Sequence, residues 1–240
     1  MILLITCIQH KYACIALFYV FGLVCLTEFN KLIKQKSSAS YLIFTSIFLL
    51  FAISELLLNN AEIINQVSQI FHVLSVFVNL FLIRDLFSSK ELPNLISNQF
   101  INTTFYISSG FVFLILIAFN FGNYNPQIIL GIFLLIWTND SFAYLIGKNF
   151  GKQKLFASIS PKKTVEGFLG GVFFSAIGSY FIALIAPSLS FTNWLIISVL
   201  VSVFGTLGDL VESKYKRKAS SGLYAFPVPK STSFNPSASI

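Results

Sequence analysis

Seven apolar runs, separated by short loops, leave this chain few folds to choose from. They fall at 3–28, 41–58, 67–83, 104–121, 127–147, 167–186 and 193–210. A helix rises 1.5 Å per residue, so about 20 apolar residues cross the hydrocarbon of a bilayer. Backbone polar groups find no water there, which restricts spanning structures to helices and closed barrels. These runs are continuously apolar rather than alternating, which points to helices. Of the 240 residues, 55% are hydrophobic and only 10% are charged, against about 25% charged in an ordinary soluble domain. The expected fold class is all-α: a polytopic transmembrane bundle of about seven spans. It forms one domain over 1–218, followed by a Ser/Pro-rich tail over 219–240 that is expected to be disordered. The first run is the least regular. His10 and Lys11 interrupt it, and it is most secure from Ala13 to Leu26.

Charge sets the expected orientation. If 29–40 faces the cytoplasm and the spans alternate, fifteen of the sixteen Lys and Arg residues lie inside, with only Lys11 outside. The loops at 59–66, 122–126 and 187–192 carry no Lys or Arg at all. The positive-inside rule then puts the N-terminus outside and the C-terminus in the cytoplasm. The net charge of +7 is thereby explained by topology, and no nucleic-acid partner is expected. Short loops and the lack of a targeting segment favour a bacterial inner membrane.

Several features carry little chemistry. Cys7, Cys14 and Cys25 form no CxxC pair and read as packed or lipid-facing thiols. His10 and His72 have no partner at ligand spacing. Glu28 and Glu55 lie near span ends and are expected to reach headgroups or water. The 28 phenylalanines are scattered through the spans, as packing and lipid contact require.

The chemistry gathers between Trp137 and Gly171. Asn139 and Asp140 sit inside the fifth run, where an ionised carboxylate needs a cation, a hydrogen-bonding shell or a water-filled cavity. Lys148, Lys152, Lys154, Lys162 and Lys163 follow, enough positive charge to hold a polyphosphate. Ser160-Pro161 breaks any helix, and Thr164 is placed to cap the next one, with Glu166 in its first turn. A helix N-terminus flanked by Lys162 and Lys163 attracts phosphate, because backbone donors and positive charge converge. Gly167, Gly171, Ser175 and Ser179 recur at four-residue steps and form a packing stripe for another helix. The seventh run ends at Asp209. If helix continues, Asp209, Glu212, Ser213 and Lys216 share one face. Such oxygen donors suit Mg²⁺ rather than zinc.

Three strings, NDSFAYLIGKNFGKQKL, ISPKKTVEGFLGG and GDLVESKYKR, occur in this order with a span between the second and third. Together they resemble the phosphatidate cytidylyltransferase family, the CDP-diacylglycerol synthases, over residues 130–218. The resemblance implies transfer of a cytidylyl group from CTP to phosphatidic acid, giving CDP-diacylglycerol and pyrophosphate. It implies Mg²⁺ at a two-metal site with Asp209 as a ligand, membrane lipids around the chain, and a possible homodimer. It makes Asp140, Glu166, Lys162, Lys163 and Glu212 candidate catalytic residues. Asn139, Ser160, Thr164, Ser213, Lys216 and Arg217 become candidate substrate-binding residues, with Lys162, Lys163, Lys216 and Arg217 on phosphates.

The family pattern S-x-x-K-R-x4-K-D begins here at Ser213, Lys216 and Arg217. Its K-D pair would fall at 222–223, where this chain has Gly222 and Leu223. The HGG and DRxD strings of the family, the latter supplying the second metal-binding Asp, do not follow. The expectation is therefore a truncated or frame-shifted family member with little or no activity alone. Two other readings are a silent membrane homologue that still binds lipid or nucleotide, and a small ion-coupled transporter using Asp140, Glu166 and Asp209. No internal inverted repeat supports the transporter.

Overall fold

A computed structural model describes residues 10–33, 38–57, 62–87, 99–119 and 124–220. The helices are α1 (Lys11–Leu32), α2 (Ala39–Leu57), α3 (Glu62–Phe87), α4 (Gln99–Asn102), α5 (Ser109–Ala118), α6 (Pro126–Phe150), α7 (Val165–Ile185) and α8 (Phe191–Ser220). A π-helical segment, Thr103–Ser108, joins α4 to α5. Six of the described helices, α1, α2, α3, α6, α7 and α8, are long and apolar enough to cross a membrane. The fourth expected run is carried by a shorter apolar helix, Thr104–Ala118. The first expected span, 3–28, is shifted. Its helix is Lys11–Leu32, and residues 1–9 lie outside the described residues. The tail expected over 219–240 begins as helix, since α8 runs to Ser220, and 221–240 lie outside the described residues.

The all-α expectation holds for the spans but not for the basic loop. Between α6 and α7 the chain forms an antiparallel hairpin of β1 (Lys154–Phe156) and β2 (Ser160–Thr164). Lys154 pairs with Thr164 and Phe156 with Ser160, with an irregularity between them. The sequence concealed this hairpin because both strands are short and lysine-rich, without apolar alternation.

Contacts fix the alternation of the spans. At one end, Tyr215 of α8 meets Phe29 of α1 (centroids 5.6 Å apart) and Tyr106 of the π-helical segment (5.9 Å). Lys214 of α8 reaches Asp85 of α3 at 2.6 Å. Phe87 of α3 packs edge-on against Phe156 of the hairpin at 5.3 Å. The C-terminal ends of α1, α3 and α8 thus meet the hairpin end of α6 and α7. At the opposite end, the Trp194 indole N–H donates to the Ala186 carbonyl at 3.1 Å.

Two apolar clusters hold the bundle. The larger joins α1, α2, α5 and the end of α8 through Phe18, Leu26, Phe44, Phe48, Ile115 and Leu210. The smaller joins α6, α7 and α8 through Leu135, Ile182 and the fully buried Trp194. Large apolar side chains on the outer face of α7 remain exposed, among them Phe173 at 61% and Leu184 at 66%. A bilayer covers such a face where water would not.

Candidate active site

Close approach of α6 and α7 builds the floor of the site. The stripe of Gly167, Gly171, Ser175 and Ser179 is buried, and α6 packs on it. A Cβ at Gly167 would lie 2.7 Å from the Ala143 carbonyl oxygen, and one at Gly171 would lie 2.7 Å from Asn139 Oδ1. The packing role expected of the stripe is met within the chain, so these residues are not available to a second copy. The Thr164 hydroxyl caps α7 as expected, accepting the Gly167 N–H at 3.1 Å.

Above this floor lies a cavity of about 700 Å³, lined from α6, the hairpin, the start of α7 and α8. Four lysines reach it: Lys148, Lys154, Lys162 and Lys163. Two carboxylates face them, Asp140 from α6 and Asp209 from α8. Asn139, Thr164 and Thr206 add polar groups, and Ala143, Leu155 and Phe168 add apolar wall. Asn139 is buried, and its amide donates to Asp140 Oδ1 at 3.2 Å. The Lys163 ammonium bridges to Asp209 at 2.8 Å, which ties the hairpin to α8 across the cavity.

The structure therefore gathers Asn139, Asp140, Lys162, Lys163, Thr164 and Asp209 into one cavity. The other six expected site residues stand outside its lining. Glu166 turns to the backbone leading into the hairpin, accepting the Lys152 N–H at 3.0 Å and the Gln153 N–H at 3.1 Å. Arg217 donates to the Ser158 carbonyl at 2.7 Å, near the hairpin tip. Glu212 and Lys216 pair with each other at 2.5 Å, and both are more than half exposed. Ser160 begins β2, and Ser213 lies on α8 one turn beyond Asp209. The helical face expected for Asp209, Glu212, Ser213 and Lys216 exists, but only Asp209 lines the cavity.

Two contributions were not singled out from sequence. Thr206 and Phe168 line the cavity from positions that read as ordinary span residues. Asp85, 8% exposed, anchors Lys214 beneath the hairpin and lies just past the third apolar run, in a stretch that offers no motif. A carboxylate at the last turn of an apolar helix, facing a lysine-rich helix end, was the one available signal.

The sequence pattern of the cytidylyltransferase family matches residues 1–220. The chain belongs to that family. It is similar to the phosphatidate cytidylyltransferase of Aquifex aeolicus (strain VF5), with 43% identity over 121 residues, or 50% of this chain and 45% of that protein. The Bacillus subtilis (strain 168) phosphatidate cytidylyltransferase is 42% identical over 113 residues, covering 47% of this chain and 42% of its own length. That of Staphylococcus aureus (strain COL) is 41% identical over 118 residues, with shares of 47% and 42%. The matched stretch thus spans less than half the length of these relatives. Membrane-length apolar helices and bacterial relatives make this cytidylyltransferase-family chain an integral protein of the bacterial inner membrane.

The donors in the cavity can be tested against the Mg²⁺ that the resemblance implies. Among the described residues, no three His, Cys, Asp or Glu side chains converge on one point. Asp140 and Asp209 nevertheless line the same cavity as four lysines. Magnesium is commonly held by one or two carboxylates plus substrate phosphates, keeping several waters. The set fits a Mg²⁺ that arrives on a polyphosphate and does not form a cage of protein ligands alone.

Proposed function

We propose that this cavity binds CTP and the phosphate of phosphatidic acid for cytidylyl transfer, giving CDP-diacylglycerol and pyrophosphate. The observation that carries the reading is four lysines facing two carboxylates in one membrane-end cavity of a cytidylyltransferase-family chain. In this reaction an oxygen of the lipid phosphate forms a bond to the α-phosphorus of CTP. The bond from that phosphorus to the bridging oxygen of the β-phosphate breaks, and pyrophosphate leaves with the electron pair. No protein nucleophile is required, so alignment and charge neutralisation do the catalytic work.

Lys162 and Lys163 hold phosphate oxygens, joined by Lys148 and Lys154. Asp209 and Asp140 would hold Mg²⁺ that arrives with the nucleotide, and Asn139 keeps Asp140 oriented through its amide. Bound Mg²⁺ would supply neutralisation of charge on the phosphates. The hairpin end faces the cytoplasm, with the N-terminus outside. This orientation is supported by Lys31, Arg84, the cavity lysines and Lys214–Arg217, all of which belong to helix ends or loops that meet there. Among the described residues, only Lys11, at the start of α1, lies at the far end. CTP then enters from the cytoplasm and the lipid phosphate at headgroup depth. A homodimer would use surfaces other than the α7 stripe.

Within the 240 residues the acidic set is incomplete. Glu212 pairs with Lys216, positions 222–223 are Gly and Leu, and no acid occurs beyond Glu212. The 240-residue chain alone is accordingly expected to bind CTP but to turn it over slowly or not at all. A silent, nucleotide-binding homologue is the second reading, and the same observation favours it. The test is conversion of labelled CTP and phosphatidic acid to CDP-diacylglycerol with Mg²⁺, using the Bacillus subtilis relative as control. Robust product from the 240-residue chain would overturn the low-activity reading. Failure to bind CTP at all would overturn the site.

A further inference from the structure

We infer that Glu166 is a positioning residue, holding the hairpin that presents lysines to the cavity rather than touching the substrate. The inference rests on the nucleotide reading of that cavity. Glu166 lies in the first turn of α7. Its two oxygens accept the Lys152 N–H at 3.0 Å and the Gln153 N–H at 3.1 and 3.2 Å. One residue earlier, the Val165 N–H donates to the Gln153 carbonyl at 2.9 Å. The chain at 152–153 is thus tied to the start of α7 through three backbone groups. β1 begins at the next residue, Lys154, which pairs in register with Thr164.

This tie is what fixes the hairpin root. Strands of three and five residues make a ribbon that is marginal alone. Its three lysines, Lys154, Lys162 and Lys163, all line the cavity. Glu166 does not line it, although Thr164 and Gly167 on either side do. A first-turn carboxylate also favours the helix N-terminus, but that preference would be satisfied without the Lys152 and Gln153 N–H groups. The placement has an electrostatic cost, because a carboxylate near the lysines opposes a polyanion.

The two roles predict opposite signs for Glu166→Gln. The carboxamide keeps the size and one acceptor oxygen but turns an N–H₂ toward the second backbone donor. If Glu166 positions the hairpin, the variant weakens CTP and pyrophosphate binding by the same factor, about tenfold for the loss of one charge-assisted contact. If it acts only through its charge, removing it leaves polyphosphate binding equal or tighter. The measurement is calorimetric binding of CTP and of pyrophosphate, with Mg²⁺, to the full chain in lipid nanodiscs. Amide exchange of the Lys152 and Gln153 N–H groups is read alongside.

The expected result is parallel weakening of both ligands and faster exchange at 152 and 153, with exchange in the spans unchanged. Glu166→Ala extends both effects, and Glu166→Gln lies between it and wild type. Four results would overturn the inference: equal or tighter binding; weakening of CTP without pyrophosphate; unchanged exchange at 152 and 153; or faster exchange through all the spans. If the wild-type chain binds neither ligand, the nucleotide reading fails, while the exchange at 152 and 153 still judges the tie by itself.

Discussion

Placing the same methyl group at two glycines of α7 should have opposite consequences, and the structure states why. At Gly171 an added Cβ would lie 2.7 Å from Asn139 Oδ1, 3.0 Å from the Asn139 carbonyl oxygen and 3.1 Å from Ala143 Cβ. At Gly178, two turns away on the same helix, the nearest atom is Thr138 Cγ2 at 3.4 Å. Optimal contacts lie near 3.5–4.0 Å, so Gly178 can take the methyl group. At Gly171 two of the opposing atoms belong to backbone and to a Cβ, which do not swing away, so α6 and α7 must part. Alanine gains about 1 kcal/mol over glycine in a helix at either position. Overpacking costs about 1–3 kcal/mol. Because the propensity gain is common to both, the two variants should differ by about 1–3 kcal/mol, with Gly178→Ala the more stable. Reversible unfolding by SDS in mixed micelles reads that difference. Equal midpoints, or a more stable Gly171→Ala, would refute the close-approach account of the α6–α7 interface. Gly171→Ala should also weaken CTP binding, because the displaced side chain, Asn139, is the one that hydrogen-bonds Asp140.

Other sites should respond as their surroundings dictate. Lys214→Met strips a cation from Asp85, whose side chain is only 8% exposed; it should cost about 3–5 kcal/mol in the same unfolding assay, and Asp85→Leu with Lys214→Met should recover part of the loss. Glu212→Gln breaks an i, i+4 pair that is more than half exposed on both sides, and its stability change should stay within about 0.5 kcal/mol. Trp194→Phe leaves the Ala186 carbonyl without its indole donor and should cost about 1–3 kcal/mol, read by unfolding with CTP binding unaffected. Thr164→Ala removes the α7 cap and should cost about 1 kcal/mol, with CTP binding weakened as well because Thr164 lines the cavity.

The spans were legible because burial in lipid demands long apolar runs, and little else in a sequence produces them. Thr164, Ser160-Pro161 and the α7 glycines could be read for the same reason: capping, helix breaking and close packing each demand particular residue types locally. What could not be read was the direction in which polar side chains turn. Glu166 and Asp209 look alike as carboxylates at span ends, yet one turns to backbone N–H groups and the other to a lysine across the cavity. Arg217 follows a family motif but meets the hairpin carbonyl of Ser158. These choices depend on a hairpin whose two strands have no apolar pattern, and on Asp85, which α3 brings to α8 from 129 residues away. The fourth span reads as 104–121 by hydropathy, whereas its described helix ends at Ala118 after a π-helical start.

The most direct test of the cavity assignment is equilibrium binding of CTP to the full chain in lipid nanodiscs, with and without Mg²⁺, beside Asp209→Asn. The account predicts saturable CTP binding that Mg²⁺ strengthens in the wild type, with that strengthening lost in Asp209→Asn. No CTP binding, or identical Mg²⁺ dependence in the two proteins, would contradict it.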